Sequence, residues 1–173
     1  MLTVQQLTQQ DWSIYKALRL LSLQESPDSF GSTYANEVNY SDEEWMSRLN
    51  PKRLAKQAFP LIATLNDVPV GLVWGLCHDN DVQMAHIYQM WVAPEARGRG
   101  VGKKLLMEVI ACAHQLNVQA LYLSVTTTNH AAIKLYQSMG FETVGELEPL
   151  REGAHLFSQS MRLRLMNTQV FIV

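Results

Sequence analysis

Apolar and polar positions alternate in two rhythms along the chain, and the switches between them predict its elements. Leu2 to Leu7 reads as a short first strand. Asp11 is placed to cap a helix whose apolar positions Ile14, Leu18 and Leu21 follow helical spacing. Ser26-Pro27-Asp28 breaks that helix, and a loop containing Gly31 follows. Ser41-Asp42-Glu43-Glu44 has the form of a capping box opening a second helix through Trp45 and Leu49, which Pro51 is expected to end. Phe59 to Leu65 and Val70 to Cys77 are β-type runs joined at Asn66-Asp67, a hairpin signal. Asp79-Asn80-Asp81 turns the chain into a third strand, Gln83 to Val92. A long helix from Gly102 to Leu116, a strand Ala120 to Thr126, a helix Asn129 to Met139 and two strands, Phe141 to Leu147 and Leu156 to Leu165, complete the order. No repeat, linker or low-complexity stretch interrupts it, so residues 1–173 read as one α+β domain. Its predicted architecture is a mixed, mostly antiparallel sheet of about seven strands with helices on both faces.

Composition narrows the class. With 47% hydrophobic and 17% charged residues, the 173-residue chain has globular values and enough length for a real core. A net charge of −2 gives no reason to expect nucleic-acid binding. Cys77 and Cys112 lie in apolar segments without metal-type spacing and are expected to be buried free thiols, which suits a reducing compartment. No metal site is expected. The N-terminus lacks a basic-then-apolar signal pattern, and no apolar run approaches the roughly 18 residues of a membrane span. The expected location is the cytoplasm.

Candidate chemistry enters at Arg97-Gly98-Arg99-Gly100-Val101-Gly102, between the run His86 to Val92 and the helix that follows. A strand that breaks into glycines and opens a helix leaves several N–H groups without intrahelical partners, at the positive end of the helix dipole. Glycines there let a ligand approach the backbone, and Arg97, Arg99, Lys103 and Lys104 add positive charge. A phosphate or pyrophosphate is the expected guest. Two known phosphate loops do not fit: no Gly-Lys-Ser/Thr follows, and Lys103 stands where the dinucleotide fingerprint needs its third glycine.

Downstream lies Asn129-His130-Ala131-Ala132-Ile133-Lys134-Leu135-Tyr136-Gln137-Ser138-Met139-Gly140-Phe141. With it the chain resembles the GNAT superfamily of acetyl-CoA-dependent N-acetyltransferases. Met90-Trp91-Val92, the Ala93-Pro94-Glu95 turn and the Arg97 to Gly102 loop are similar to that family's coenzyme motif. Asn129, Ala132, Leu135-Tyr136 and Gly140-Phe141 are similar to its second motif. The resemblance covers about residues 59 to 145. It implies acetyl-CoA as cosubstrate, held by the backbone of Met90, Trp91 and Val92, by Arg97, Gly98, Arg99, Gly100, Val101, Gly102 and Lys103, and by Asn129, Ala132 and Tyr136. It also implies that Tyr136 is the general acid for the departing thiolate. In several members a glutamate eleven residues before the first motif residue is the base, and that position here is His86. Imidazole is a suitable base near neutral pH. Tyr88, two residues on, shares its strand face.

The acceptor is read from residues 25 to 44, which the resemblance places along the acceptor site. Six acids and no Lys or Arg fall there, which would favour a small cationic amine. Glu25, Glu37, Phe30 and Tyr88 are the candidate substrate contacts, while Asp42, Glu43 and Glu44 suit a helix N-terminus. Protein N-terminal or lysine acetylation and a non-catalytic acyl-CoA sensor are the alternative readings. The apolar tail Gln169 to Val173 would be a hazard as an unpaired strand, so it pairs with the parent sheet, with a second copy in a homodimer, or plugs the core.

Overall fold

The computed structural model describes residues 1–54, 58–78 and 81–165, so the Asn80 turn and the apolar tail lie outside the described residues. In chain order the elements are β1 (Leu2–Gln6), α1 (Trp12–Glu25), α2 (Tyr34–Glu37), α3 (Asp42–Arg48), α4 (Pro51–Leu54), β2 (Ala58–Leu65), β3 (Val68–His78) and β4 (Asp81–Val92). They continue with α5 (Val101–Gln115), β5 (Ala120–Thr126), α6 (His130–Ser138), β6 (Glu142–Pro149) and β7 (Phe157–Arg164). Short 3-10 turns at Gln9–Asp11, Pro27–Ser29 and Pro94–Ala96 link them.

The strands form one sheet in the order β1-β2-β3-β4-β5-β7-β6. Every neighbouring pair is antiparallel except β4 and β5, which run parallel. Asn66 and Asp67 both adopt positive φ between β2 and β3, the conformation of a tight hairpin turn. Helices cover both faces. Gly71 of β3 admits α5 on one side: a Cβ there would stand 2.9 Å from Leu105 Cδ1 and 3.2 Å from Val101 Cγ1. On the other side Tyr15 of α1 meets Trp74 of β3, ring centroids 5.5 Å apart. The α5 face is filled by Val101, Leu105, Leu106 and Val109 against the sheet, all buried.

Four sequence expectations change. Asp11 does not cap α1; its Oδ2 accepts from the Thr8 N–H (2.7 Å) and the Thr8 hydroxyl (2.9 Å), closing the turn before the helix. The inward face of α1 is Tyr15, Leu18, Arg19, Ser22 and Leu23, whereas Ile14 and Leu21 are 42% and 47% exposed. That face includes two polar residues: Ser22 Oγ donates to the Arg19 carbonyl at 2.7 Å, and Arg19 is ion-paired with Glu37 through Nη2, while its Nη1 is buried without a hydrogen-bond partner. Of the three apolar positions expected to face inward, Leu18 does and Ile14 and Leu21 do not. Pro51 opens the single turn α4 rather than simply ending α3, since its missing N–H is no loss at a first helical position. Cys77 is buried but Cys112 is partly exposed.

Candidate active site

The site begins where the parallel pair ends. β4 and β5 are in register only at Met84–Ala120, Ala85–Leu121 and His86–Tyr122. Beyond these pairs β5 continues to Thr126 alongside β7, while β4 continues to Val92 alongside β3. The two strands thus splay, and their recorded pairing with each other ends at His86 and Tyr122. A wedge of this kind can take an extended, amide-bearing chain as if it were a further strand.

A bulge sets the geometry of its β4 wall. Leu72 pairs with Trp91 and Trp74 with Tyr88, so Gln89 and Met90 together oppose Val73. Gln89 takes φ 56°, a left-handed conformation unusual for a non-glycine residue. Its Oε1 accepts from the buried Tyr15 hydroxyl at 3.0 Å, which pins the bulge to α1. The extra residue reverses the alternation. His86, Tyr88 and Trp91 face α1, whereas Met90 and Val92 face the start of α5, where a Cβ on Gly102 would lie 3.5 Å from Met90 Cε.

The glycine loop closes the open end of the wedge. Gly98 and Gly100 have φ of 75° and 80°, and a Cβ on either would meet no atom within 4 Å. Both point into open space, as a phosphate cradle requires. Gly100 is the N-cap of α5 and offers no side chain to the first-turn N–H groups, which are left for a ligand. Gly102 has a different use. Its Cα lies against α6, where a Cβ would come within 3.0 Å of Leu135 Cδ2. The exposed Arg99 and Lys103 are in no ion pair among the described residues, while Lys104 pairs with Glu108 at 2.8 Å. Arg97 is engaged elsewhere. Its Nε–H donates to the Val92 carbonyl (3.0 Å) and its Nη2 to Glu25 Oε2 (2.7 Å).

On α6, Asn129 Oδ1 accepts from the Ala132 N–H at 3.2 Å, the N-cap its position suggested. Tyr136 is 6% exposed with its ring 5.9 Å from that of Phe141. Burial pushes its hydroxyl well above the ordinary phenol value, so it holds its proton across the neutral range. His86 stacks between Tyr88 and Tyr122, with centroid distances of 5.9 and 5.4 Å. A recess of about 370 Å³ lined by Gln119, Ala120, Tyr122, Arg162, Arg164 and Leu165 adjoins this stack at the start of β5, away from the glycine loop.

The expected acidic wall takes another form. Glu37 is 2% exposed, and its carboxylate accepts two hydrogen bonds from Arg19 Nε and one from Nη2 at 2.6 Å, with Arg48 Nη1 at 3.2 Å. Burial alone would raise its pKa. The bonds and charge of Arg19, with help from Ser32 and Arg48, outweigh that and hold it below the usual carboxylate value. Phe30 is buried beneath Arg19, whose guanidinium carbon lies 4.9 Å from the ring centroid. Glu25 Oε2 accepts from Trp91 Nε1 (2.9 Å), from Arg97 and from the Ser26 hydroxyl. Asp42, Glu43 and Glu44 open α3 above Ser41, whose side chain accepts from the Glu44 N–H. Of the four residues expected to meet the acceptor, Phe30 and Glu37 are buried, Glu25 is exposed with its carboxylate engaged, and Tyr88 is exposed, at 43%.

A splayed parallel pair beside a glycine-opened helix is an arrangement that can hold a phosphate-bearing ligand with an extended arm. The chain belongs to the acetyltransferase (GNAT) family, whose model matches residues 17–141. The mycothiol acetyltransferase of Renibacterium salmoninarum is 25% identical over 135 residues, which are 76% of this chain and 38% of that protein. The N-alpha-acetyltransferase 50 of Danio rerio is 29% identical over 134 residues, 72% of this chain and 76% of that one. In fold, yncA of Salmonella typhimurium, solved with its cofactor acetyl-CoA, superposes with a TM-score of 0.79 at 18% identity, covering 96% of this chain and 95% of that one. Among the described residues no helix is long and apolar enough to cross a membrane.

Proposed function

We propose that the chain is an N-acetyltransferase that moves the acetyl group of acetyl-CoA to a primary amine by direct attack in a ternary complex. The observation that carries this reading is the parting of β4 from β5 beyond His86 and Tyr122, beneath a loop whose Gly98 and Gly100 leave open space. The residues present fit the coenzyme. The first-turn N–H groups of α5 with Arg99 and Lys103 would hold its pyrophosphate, and the β4 backbone that faces the gap its pantetheine arm. Bound there, acetyl-CoA supplies an activated acetyl thioester.

The chain's own groups do the rest. A backbone N–H past the Gln89 bulge would donate to the thioester oxygen, where negative charge develops during attack. His86 stands on the same strand, on the α1 face, as the base that accepts the ammonium proton. Tyr136, kept protonated by burial, is the acid for the departing sulfur. Binding both reactants in one cleft supplies much of the acceleration.

The acceptor approaches the α1 face beside Tyr88. A small amine is the reading retained here, but Glu25 and Glu37 are occupied within the fold, so they supply no cationic selectivity. A peptide α-amine is a second reading, favoured by the open Tyr88 edge and by the N-alpha-acetyltransferase relative that this chain spans for three-quarters of its length. Calorimetry with acetyl-CoA, followed by thiol release across polyamines, amino sugars and short peptides, separates them. Release with a small amine supports the first reading and release with peptides alone the second. Absence of acetyl-CoA binding removes both.

A further inference from the structure

Glu25 gathers three donors from three parts of the molecule onto one carboxylate oxygen. Trp91 Nε1 belongs to β4 beyond the bulge, Arg97 is the first residue of the glycine loop, and Ser26 begins the segment that follows α1. Arg97 also donates to the Val92 carbonyl, so the same guanidinium spans the end of β4 and the end of α1. The segment after Glu25 is itself clamped over the mouth of the wedge. Thr126 Oγ1, at the end of β5, donates to the Asp28 carbonyl at 2.6 Å. Arg151, between β6 and β7, donates to the carbonyls of Phe30 (2.6 Å) and Pro27 (3.1 Å). A chain of hydrogen bonds therefore runs from the coenzyme loop through Arg97 and Glu25 to residues 26–30, across the cleft from the thioester position.

We propose that Glu25 is a positioning residue that couples the two substrates of the reaction: occupancy of the glycine loop is transmitted through Arg97 and Glu25 to the segment 26–30 that borders the acceptor. This rests on the coenzyme reading above. Glu25 touches neither reactant. Its charge holds Arg97 in one orientation, with Nε and Nη2 committed. A charge-assisted bond of this kind is directional as well as strong. When the coenzyme's phosphates fix the loop, they fix Arg97, and the carboxylate then holds the start of the acceptor segment against β5. Coupling of this kind is reciprocal, so an ordered acceptor segment also raises coenzyme affinity.

Hydrogen exchange with CoA as the probe tests this without knowing the acceptor. In the wild-type chain, CoA is expected to slow exchange both in the loop, residues 97–104, and in residues 26–33, the latter by about tenfold. Glu25→Gln keeps the shape and removes the charge; it is expected to retain loop protection and lose protection at 26–33. Glu43→Gln, which removes a charge at the exposed start of α3 and touches none of these groups, serves as the control and keeps both. Protection of the loop alone in the wild type, or of both segments in Glu25→Gln, overturns the proposal. No protection anywhere in the wild type overturns the coenzyme reading and the coupling with it. Should Glu25→Gln unfold, Trp91→Phe, which removes one donor to the same oxygen, is expected to weaken protection at 26–33 while sparing the loop.

Discussion

Tyr136 illustrates how a single side chain keeps its proton by being denied water, as the proposed acid for the departing thiolate must. Its burial against Phe141 raises the hydroxyl's pKa, so deprotonation lies far above the working range. Tyr136→Phe is expected to lower kcat by about 100-fold with acetyl-CoA affinity nearly unchanged, the range of a lost general acid. The alkaline limb of the pH–rate profile should be the same in both proteins; a limb that vanishes in the variant would show that Tyr136 titrates during turnover. Glu37 teaches the opposite lesson, a charge kept by partners. With its folded pKa below the ordinary 4.5, its contribution is fully present above that value and is lost as pH falls through the lower one. The wild type's resistance to urea should therefore fall in that acidic window. Glu37→Gln should lose about 3 kcal/mol at pH 7, leaving Arg19 and Arg48 uncompensated, and show a flatter acidic dependence.

Among the elements, the glycine loop and the β4 bulge divide cleanly into what sequence can and cannot reveal. Gly98 and Gly100 were legible because a positive-φ turn before a helix demands glycine, and the structure gives both that geometry. Gly100→Glu is expected to abolish acetyl-CoA binding while leaving the fold intact, since its side chain projects into the space meant for phosphate. Gly145→Glu is the control. It has φ 72° and an equally open Cβ position on β6, so it carries the same backbone strain away from the loop. Equal loss of binding in both variants would refute the loop assignment. The bulge, by contrast, left no mark on the sequence. Gln89 is not a glycine, asparagine or aspartate, and its left-handed φ is secured by Tyr15, 74 residues earlier in the chain. Counting by twos from His86 places Met90 on its face; the inserted residue puts Trp91 there instead. The acidic stretch 25–44 failed for a related reason. Local charge is visible in sequence, but the Arg19 and Arg48 that neutralise Glu37 come from other helices. The order of strands and helices, carried by period and turn residues, was largely legible, as was the cap at Asn129.

At the scale of the whole molecule, the sheet is two antiparallel halves, β1–β4 and β5–β7–β6, stitched along three residues of each central strand. Short parallel pairing is slightly weaker per residue than antiparallel pairing, and the segment 26–30 adds a tie, bonded to β5 at Thr126 and, through the adjoining Glu25, to Arg97 after β4. A ligand chain lying in the wedge would complete hydrogen bonds on the β4 wall and tie the halves together. The fold therefore predicts that acetyl-CoA stabilises the domain as one unit. At a hundred times its dissociation constant the gain is about 2.7 kcal/mol, which for a domain of this size raises Tm by roughly 5–10 °C. Location matters more than size here. The amides of residues 87–92 that line the gap should exchange more slowly in the complex, while those of β1 and β6, at the outer edges, should change only as global stability changes. A thermal shift without protection along 87–92 would mean that the coenzyme rests on the loop alone. The parting of the strands would then be a feature of folding and not the cleft in which acetyl transfer occurs.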